Sequence, residues 1–467
     1  MNEPTAEPAF DRAAIRAFHF SRRSFDPATG TVELGYVLDD GRADAPELVE
    51  TITVPGAPFA LDPARAAAVE RALGLLHALA GVSYYKAAVP PAITFAPGLA
   101  PDAATAAFLA TVYEHGLGEF AYANGLSLKG RIAFPHATGG MSAAPALGLD
   151  GGALVAIGGG KDSLVSIEAL RAAGVEQTVC WVGGSPLIRA CAERTGLPTL
   201  AIGRQLAPGL FALNRRGALN GHIPVTAVNS AILVLAALLR GQAEVVFSNE
   251  RSASYGSLIP GTGEVNHQWS KGWDFERMFA AEVRRLVAPD LAYYSLLRPL
   301  SELAVAARFA ASDRYDAWFS SCNRNFHLLG EKPASRWCGV CPKCHFVFLA
   351  LAVFMPKPRL VGIFGRNLLD EPGQAAGFDA LLEFGDHKPF ECVGEGRESR
   401  AAFAALAQRP AWREDALVQR FVREVLPVLE ADETLRGQLD LAQHLVPAHD
   451  HGIPPGRWEP LRAIVGA

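Results

Sequence analysis

Leu154-Val155-Ala156-Ile157-Gly158-Gly159-Gly160-Lys161-Asp162-Ser163 is the stretch that decides how this chain folds. Four apolar residues, two of them β-branched, read as a buried strand. Three glycines break it, and Ser163 opens an amphipathic run through Leu164, Val165, Ile167 and Leu170. Glycines let backbone N–H groups approach an anion closely, and a helix start adds unpaired donors and a positive dipole end. The loop is shaped for phosphate, so a nucleotide is the expected ligand.

Residue order narrows the kind of loop. A Walker loop needs a hydroxyl directly after its lysine, and here Asp162 follows Lys161. A dinucleotide fingerprint needs a third glycine where Ser163 stands. The run Gly158-Gly159-Gly160-Lys161-Asp162-Ser163 instead resembles the PP-loop of the ATP pyrophosphatase superfamily, Ser-Gly-Gly-x-Asp-Ser, with glycine in place of the first serine. The bland alternative is a glycine-rich turn in an ordinary α/β domain. The resemblance implies ATP held by its β- and γ-phosphates and cleaved between α and β, leaving an adenylated substrate and pyrophosphate. It implies that Asp162 holds Mg²⁺ and that Lys161 offsets charge on the leaving pyrophosphate.

Composition sets the frame. At 467 residues, half hydrophobic and 19% charged, the chain has room for two or three ordinary globular domains. A net charge of −5 argues against a general polyanion binder, so no nucleic acid is expected. The longest apolar run noted, Ala231 to Leu239, is too short to span a bilayer, and Met1 to Phe10 is polar; a cytoplasmic protein with no membrane partner is expected. Seven cysteines, three of them packed into one short segment, read as metal ligands in a reducing compartment.

Residues 1–147 read as an N-terminal α+β domain, with antiparallel strands between Ala17 and Val54 and helices from Asp62-Pro63 to about Ala80 and from Ala103 to Tyr122. Its Ser83-Tyr84-Tyr85-Lys86 reads as a rim of solvated polar residues, the alternative being a contact to a ligand's phosphate or ring. Residues 148–345 alternate strand and helix: Val175 to Val182, Thr199 to Ile202 and Glu244 to Asn249 are strands, and Val225 to Leu239 is a helix apolar nearly all round. That alternation implies a doubly wound, mostly parallel sheet whose ligands sit at the carboxyl ends of its strands. Gly183, after the second strand, is placed near the adenosine by the PP-loop resemblance, and Ser248-Asn249-Glu250-Arg251 near the substrate. His222, just before the apolar helix, falls near the same edge as a capping or core histidine or a base.

Cys338-x2-Cys341-x2-Cys344, joined by Cys322, makes a knot that can close a tetrahedron of thiolates around a structural zinc. An iron–sulfur cluster is the competing reading, and His327 or His345 is an alternative to Cys322. Residues 346–467 read as a mainly helical region, entered through the apolar run Val347 to Phe354, that contributes to the active site. It carries the irregular segment Lys388-Pro389-Phe390-Glu391-Cys392-Val393-Gly394-Glu395.

Taken together, the N-terminal α+β domain, the glycine loop, Asn220-Gly221-His222-Ile223-Pro224-Val225-Thr226, the cysteine knot and the Lys388–Glu395 segment resemble the UDP-N-acetylmuramoyl-L-alanyl-L-glutamate epimerases. A similar zinc knot follows the PP-loop domain in the 7-cyano-7-deazaguanine synthases. The epimerase resemblance implies an ATP- and Mg²⁺-dependent inversion of the terminal L-glutamate of UDP-MurNAc-L-Ala-L-Glu for peptidoglycan synthesis, with AMP and diphosphate released. A proton α to a carboxylate is hard to remove because the enolate would carry two adjacent negative charges; an acyl adenylate removes one. Inversion then needs a base on one face and an acid on the other, or one group reaching both. Cys392, Glu391, His222 and Glu250 are the candidates, in that order, with Lys388 and Arg251 for the substrate's carboxylates or diphosphate. The alternatives are a PP-loop enzyme modifying a nucleobase or tRNA by adenylation, and a zinc-bearing ATP sensor.

Overall fold

β1 (Ala17–Asp26), β2 (Thr31–Asp39) and β3 (Glu47–Thr53) form an antiparallel meander with β-branched and aromatic residues on its buried face. The computed structural model describes residues 8–139, 142–259, 263–326, 331–385 and 388–465. β4 (Ala92–Phe95) adds in parallel to β1. The other half is parallel: β5 (Ala153–Ala156), β6 (Gln177–Val182), β7 (Thr199–Gln205), β8 (Glu244–Phe247) and β11 (Ala292–Ser295). A small hairpin, β9 (Ser257–Ile259) with β10 (Gly263–Val265), stands apart.

The halves are one sheet. β3 pairs antiparallel with β7, so the strand order is β11-β8-β5-β6-β7-β3-β2-β1-β4 and hydrogen bonding crosses the boundary expected near residue 147 without a break. The structure thus has the expected α/β architecture with a mixed sheet whose second half is wholly parallel.

Order within that half locates the site. The chain lays β5 in the middle, steps outward through β6 and β7, then returns on the other side of β5 to place β8 and β11. Between β5 and β8 the winding reverses, and in open α/β sheets ligands bind outside the carboxyl ends of the strands at such a point. The glycine loop follows β5, and Ser248 to Arg251 follows β8.

Both faces of the sheet are covered. Leu154 of β5 faces one core and Ala153 and Val155 the other, the two-residue alternation of a strand buried on both sides. The first core holds α1 (Pro63–Ala80), α2 (Ala103–Gly116) with the short α3 (Gly118–Ala123) behind it, and α6 (Val225–Arg240). The second holds α4 (Lys161–Ala172), α8 (Glu302–Ala310), α9 (Pro342–Ala352) and α10 (Gly396–Ala407). Two more helices, α5 (Pro186–Arg194) and α7 (Trp273–Glu282), complete the elements near the site. Asp62 caps α1 through the N–H groups of Ala64 and Arg65. Gly241, at φ +74°, closes α6 in the left-handed conformation that glycine accepts without strain.

The apolar stretch Pro63–Tyr85 is longer than the run noted in the sequence, and by length and composition alone it is able to cross a membrane. Here 72% of its most apolar window is buried inside the fold, where the Tyr36 hydroxyl donates to the His77 carbonyl and Phe20 packs edge-on to the His77 ring.

Candidate active site

The glycine loop opens at the top of β5 and leads straight into α4. Gly159, at φ +82°, turns the chain in a conformation costly to residues with a Cβ. A Cβ on Gly160 would stand 2.5 Å from Ser321 Oγ, whereas at Gly158 and Gly183 it would meet no atom within 4 Å. Ser321 Oγ is itself buried with no hydrogen-bond partner among the described residues. A glycine-lined opening, N–H groups at a helix start and an unpaired hydroxyl fit phosphate oxygens.

Lys161 is placed otherwise than the loop motif suggests. Its side chain is fully buried, and its ammonium is bonded to Glu302 and Asp162. Burial opposes that charge, but the two carboxylates hold the lysine protonated. Lys343 Nζ lies 3.3 Å from the second Glu302 oxygen. Burial raises the Glu302 carboxyl, and the two ammoniums outweigh it and keep it ionised. Asp162 stays partly exposed at the loop while the buried Lys161 braces it against Glu302.

Glu250, at the end of β8, is buried; burial and then the negative Glu302 and Asp162 push its carboxyl up to about 7. Arg298 fixes the Glu250 backbone: its Nη1 donates to the Glu250 carbonyl at 2.7 Å, its Nη2 to the Lys271 carbonyl, and its guanidinium forms a buried pair with Glu276 of α7 at 2.8 Å. Arg251 N–H donates to the Leu300 carbonyl, and its guanidinium donates to the Val446 carbonyl at 3.4 Å.

Cys392 faces this region from the C-terminal segment. Lys271 Nζ lies 3.1 Å from its Sγ. Burial pushes the thiol up, but the Lys271 charge and a hydrogen bond from His267 outweigh it and bring it down to about 5, with Lys343 adding a smaller pull. His267 Nδ1 is bonded to Glu119 at the start of α3. Burial lowers His267, but Cys392 and Glu119 raise it to about 9. His222 Nδ1 lies 3.7 Å from the same Glu119 oxygen, with its ring 4.2 Å from that of His267; burial and the neighbouring positive charges bring it down to about 3. Glu391 accepts from the Lys343 backbone N–H at 3.1 Å, and burial raises its carboxyl. Lys388 is buried, donates to the Tyr255 carbonyl at 3.0 Å and sits 5.1 Å from the Tyr255 ring centre.

The four knot cysteines converge, their sulfurs all within 4.8 Å of one another and unpaired by disulfides. Four thiols turned inward on one point fit a tetrahedral metal better than a packed apolar core. His345 turns away to Gln374 at 2.8 Å, and His327 lies outside the described residues. The segment leading into the knot is also the wall of the loop, since Ser320 N–H donates to the Gly159 carbonyl at 2.9 Å.

Tertiary structure thus brings Lys161, Asp162, Glu250, Glu391, Cys392 and His222 to one region, and adds five residues missed in the sequence. Lys343 was hidden in the knot motif, and Glu302 behind the helix cap Ser301. His267 and Lys271 lie in an irregular polar segment, and Glu119 heads a short helix. A pairing such as Lys271 with Cys392 leaves no local pattern.

Fold and site define a class: an α/β protein with a largely parallel sheet, an anion-fitting glycine loop, a cysteine beside a lysine and a cluster of four cysteines. The chain belongs to the MurL family: the MurL N-terminal domain matches residues 9–296 and the MurL C-terminal domain residues 318–436. It is 67% identical over 455 residues, 97% of this chain and 99% of the relative, to the UDP-N-acetyl-alpha-D-muramoyl-L-alanyl-L-glutamate epimerase of Xanthomonas oryzae pv. oryzae. It is 44% identical over 414 residues, 88% of this chain and 89% of the relative, to the protein of that name from Salinispora tropica. A third such protein, from Micromonospora sp., is 44% identical over 442 residues, 94% of this chain and 96% of the relative.

Proposed function

We propose that the chain is an isomerase that epimerises the terminal glutamate of UDP-MurNAc-L-Ala-L-Glu to the D form for peptidoglycan synthesis in the cytoplasm. The observation that carries this reading is the 67% identity to an epimerase of that name over nearly the full length of both chains. The finer mechanism follows the PP-loop resemblance. The substrate's α-carboxylate attacks the α-phosphorus of ATP; the bond between the α-phosphorus and the α,β-bridging oxygen breaks, and pyrophosphate leaves. Gly158, Gly159, Gly160 and Ser163 cradle the outer phosphates, and Gly183 leaves room for the adenosine. Asp162 would hold Mg²⁺, which when bound neutralises phosphate charge.

With the carboxylate masked as an acyl adenylate, Cα–H is acidic enough for a side-chain base. Cys392 is the foremost of the proton-transfer candidates, ahead of Glu391, His222 and Glu250. Lys388 and Arg251 bind the substrate's carboxylates or diphosphate. Water then releases AMP and the inverted carboxylate, so ATP cleavage drives an exchange between epimers of similar energy. The four-cysteine knot holds a structural zinc.

The test incubates the protein with ATP, Mg²⁺ and UDP-MurNAc-L-Ala-L-Glu in heavy water. Expected are pyrophosphate, AMP, deuterium at Cα and D-glutamate on hydrolysis. Failure of that dipeptide to elicit pyrophosphate or Cα deuterium would falsify the reading.

A further inference from the structure

Glu119, His222 and His267 have the composition of a metal site, and their ligand atoms lie within 4.8 Å of one another. The surroundings argue for another use. The positive charges of Lys271 and Lys86 bear on His222, where a divalent cation would be repelled, and His267 Nδ1 is bonded directly to Glu119 while Cys392 raises the same imidazole. The cation in this cluster is the His267 imidazolium itself. Glu119, His267 and Cys392 form a carboxylate–imidazole–thiol row, the arrangement by which a thiol is ionised and aimed.

Lys271 closes the other side. Its ammonium is 3.1 Å from Cys392 Sγ and is also drawn by the carboxylates of Glu250, after β8, and Asp162, in the glycine loop, so thiol and acids share one cation. Arg298 holds both neighbours through the carbonyls of Glu250 and Lys271, which fixes their separation.

We propose that Glu119, His267 and Lys271 belong to the epimerisation machinery: Glu119 and His267 position Cys392 as the base on one face of Cα, and Lys271 faces the charge that develops between Cys392 and Glu250, the acid of the opposite face. This rests on the epimerase reading above. In the step, the Cα–H bond breaks as the proton passes to the Cys392 thiolate, and the electron pair moves onto the acyl oxygen facing Lys271. A new C–H bond then forms with the proton of the Glu250 carboxyl. The thiol and the carboxylate left behind exchange one proton through water to reset the site.

The first test needs neither ATP nor substrate. Iodoacetamide labelling of Cys392, followed by peptide mass spectrometry across pH, should titrate near 5 in the unmodified protein. Lys271→Met and His267→Gln should each raise that midpoint by about 1–3 pH units, while Lys271→Arg restores it. The groups facing the thiol are Lys271, His267, Lys343 and the adjacent Glu391. The second test follows Cα deuterium exchange. Cys392→Ser should lower it by about 100-fold or more, and pyrophosphate release should fall less. Unshifted midpoints in folded variants, or a second metal ion per chain that His267→Gln removes, would overturn the proposal. Absence of pyrophosphate from the unmodified protein would instead strike the epimerase reading and leave the thiol titration interpretable.

Discussion

Ser320 N–H donates to the carbonyl of Gly159 at 2.9 Å, so the chain entering the cysteine knot is the chain that braces the glycine loop. Metal in the knot is therefore expected to support phosphate binding from behind. Metal analysis should find one zinc per chain. Its removal by a chelator, or by Cys341→Ser, should lower the thermal midpoint and weaken ATP binding together. Tight ATP binding by metal-free protein would sever that link.

Asp162 is the one carboxylate of the loop cluster that remains partly exposed, while Glu302 and Glu250 are buried. Asp162→Asn removes the charge proposed for Mg²⁺ and half of the Lys161 brace. Turnover should fall by about 100-fold or more with little loss of fold, read as pyrophosphate release at saturating Mg²⁺. Activity within a few-fold of the unmodified protein would move the metal elsewhere.

Glu276 and Arg298 form a buried pair in which each side chain is 2% exposed. Glu276→Gln leaves a charged guanidinium without its counter-ion and should cost about 3–5 kcal/mol in urea unfolding. Because Arg298 also holds the carbonyls of Glu250 and Lys271, Cα exchange should fall in the fraction that stays folded.

Activity should be bell-shaped in pH. Cys392 must be ionised, which sets an acid limb near 5, and Glu250 must carry its proton, which sets a basic limb near 7. Glu250→Gln should remove turnover rather than shift the basic limb. A basic limb unchanged in an active Glu250→Gln enzyme would exclude Glu250 as the acid.

His267 is raised from 6.5 to about 9. Since the folded value is the higher one, its contribution to stability is fully present below 6.5 and is lost as pH rises through 9. The difference in unfolding free energy between the unmodified protein and His267→Gln should thus be larger at about pH 6 than at about pH 10. An equal difference at both would mean that the Glu119 contact is made by a neutral ring.

Local sequence determined the elements. The Asp62-Pro63 start of α1 and the apolar run of α6 are each written within one turn or one helix, so those helices form where the sequence places them. The glycine loop and cysteine knot are legible for the same reason, since their spacing is itself the chemistry. Only the tertiary structure decided that β3 joins β7 to make one sheet, because strand pairing over long separations depends on which edges remain free. It alone buried Lys161 under the loop and set Lys271 beside Cys392, 121 positions apart. Charge pairing and desolvation depend on distance in space, and that distance exists only once both cores have closed around the sheet.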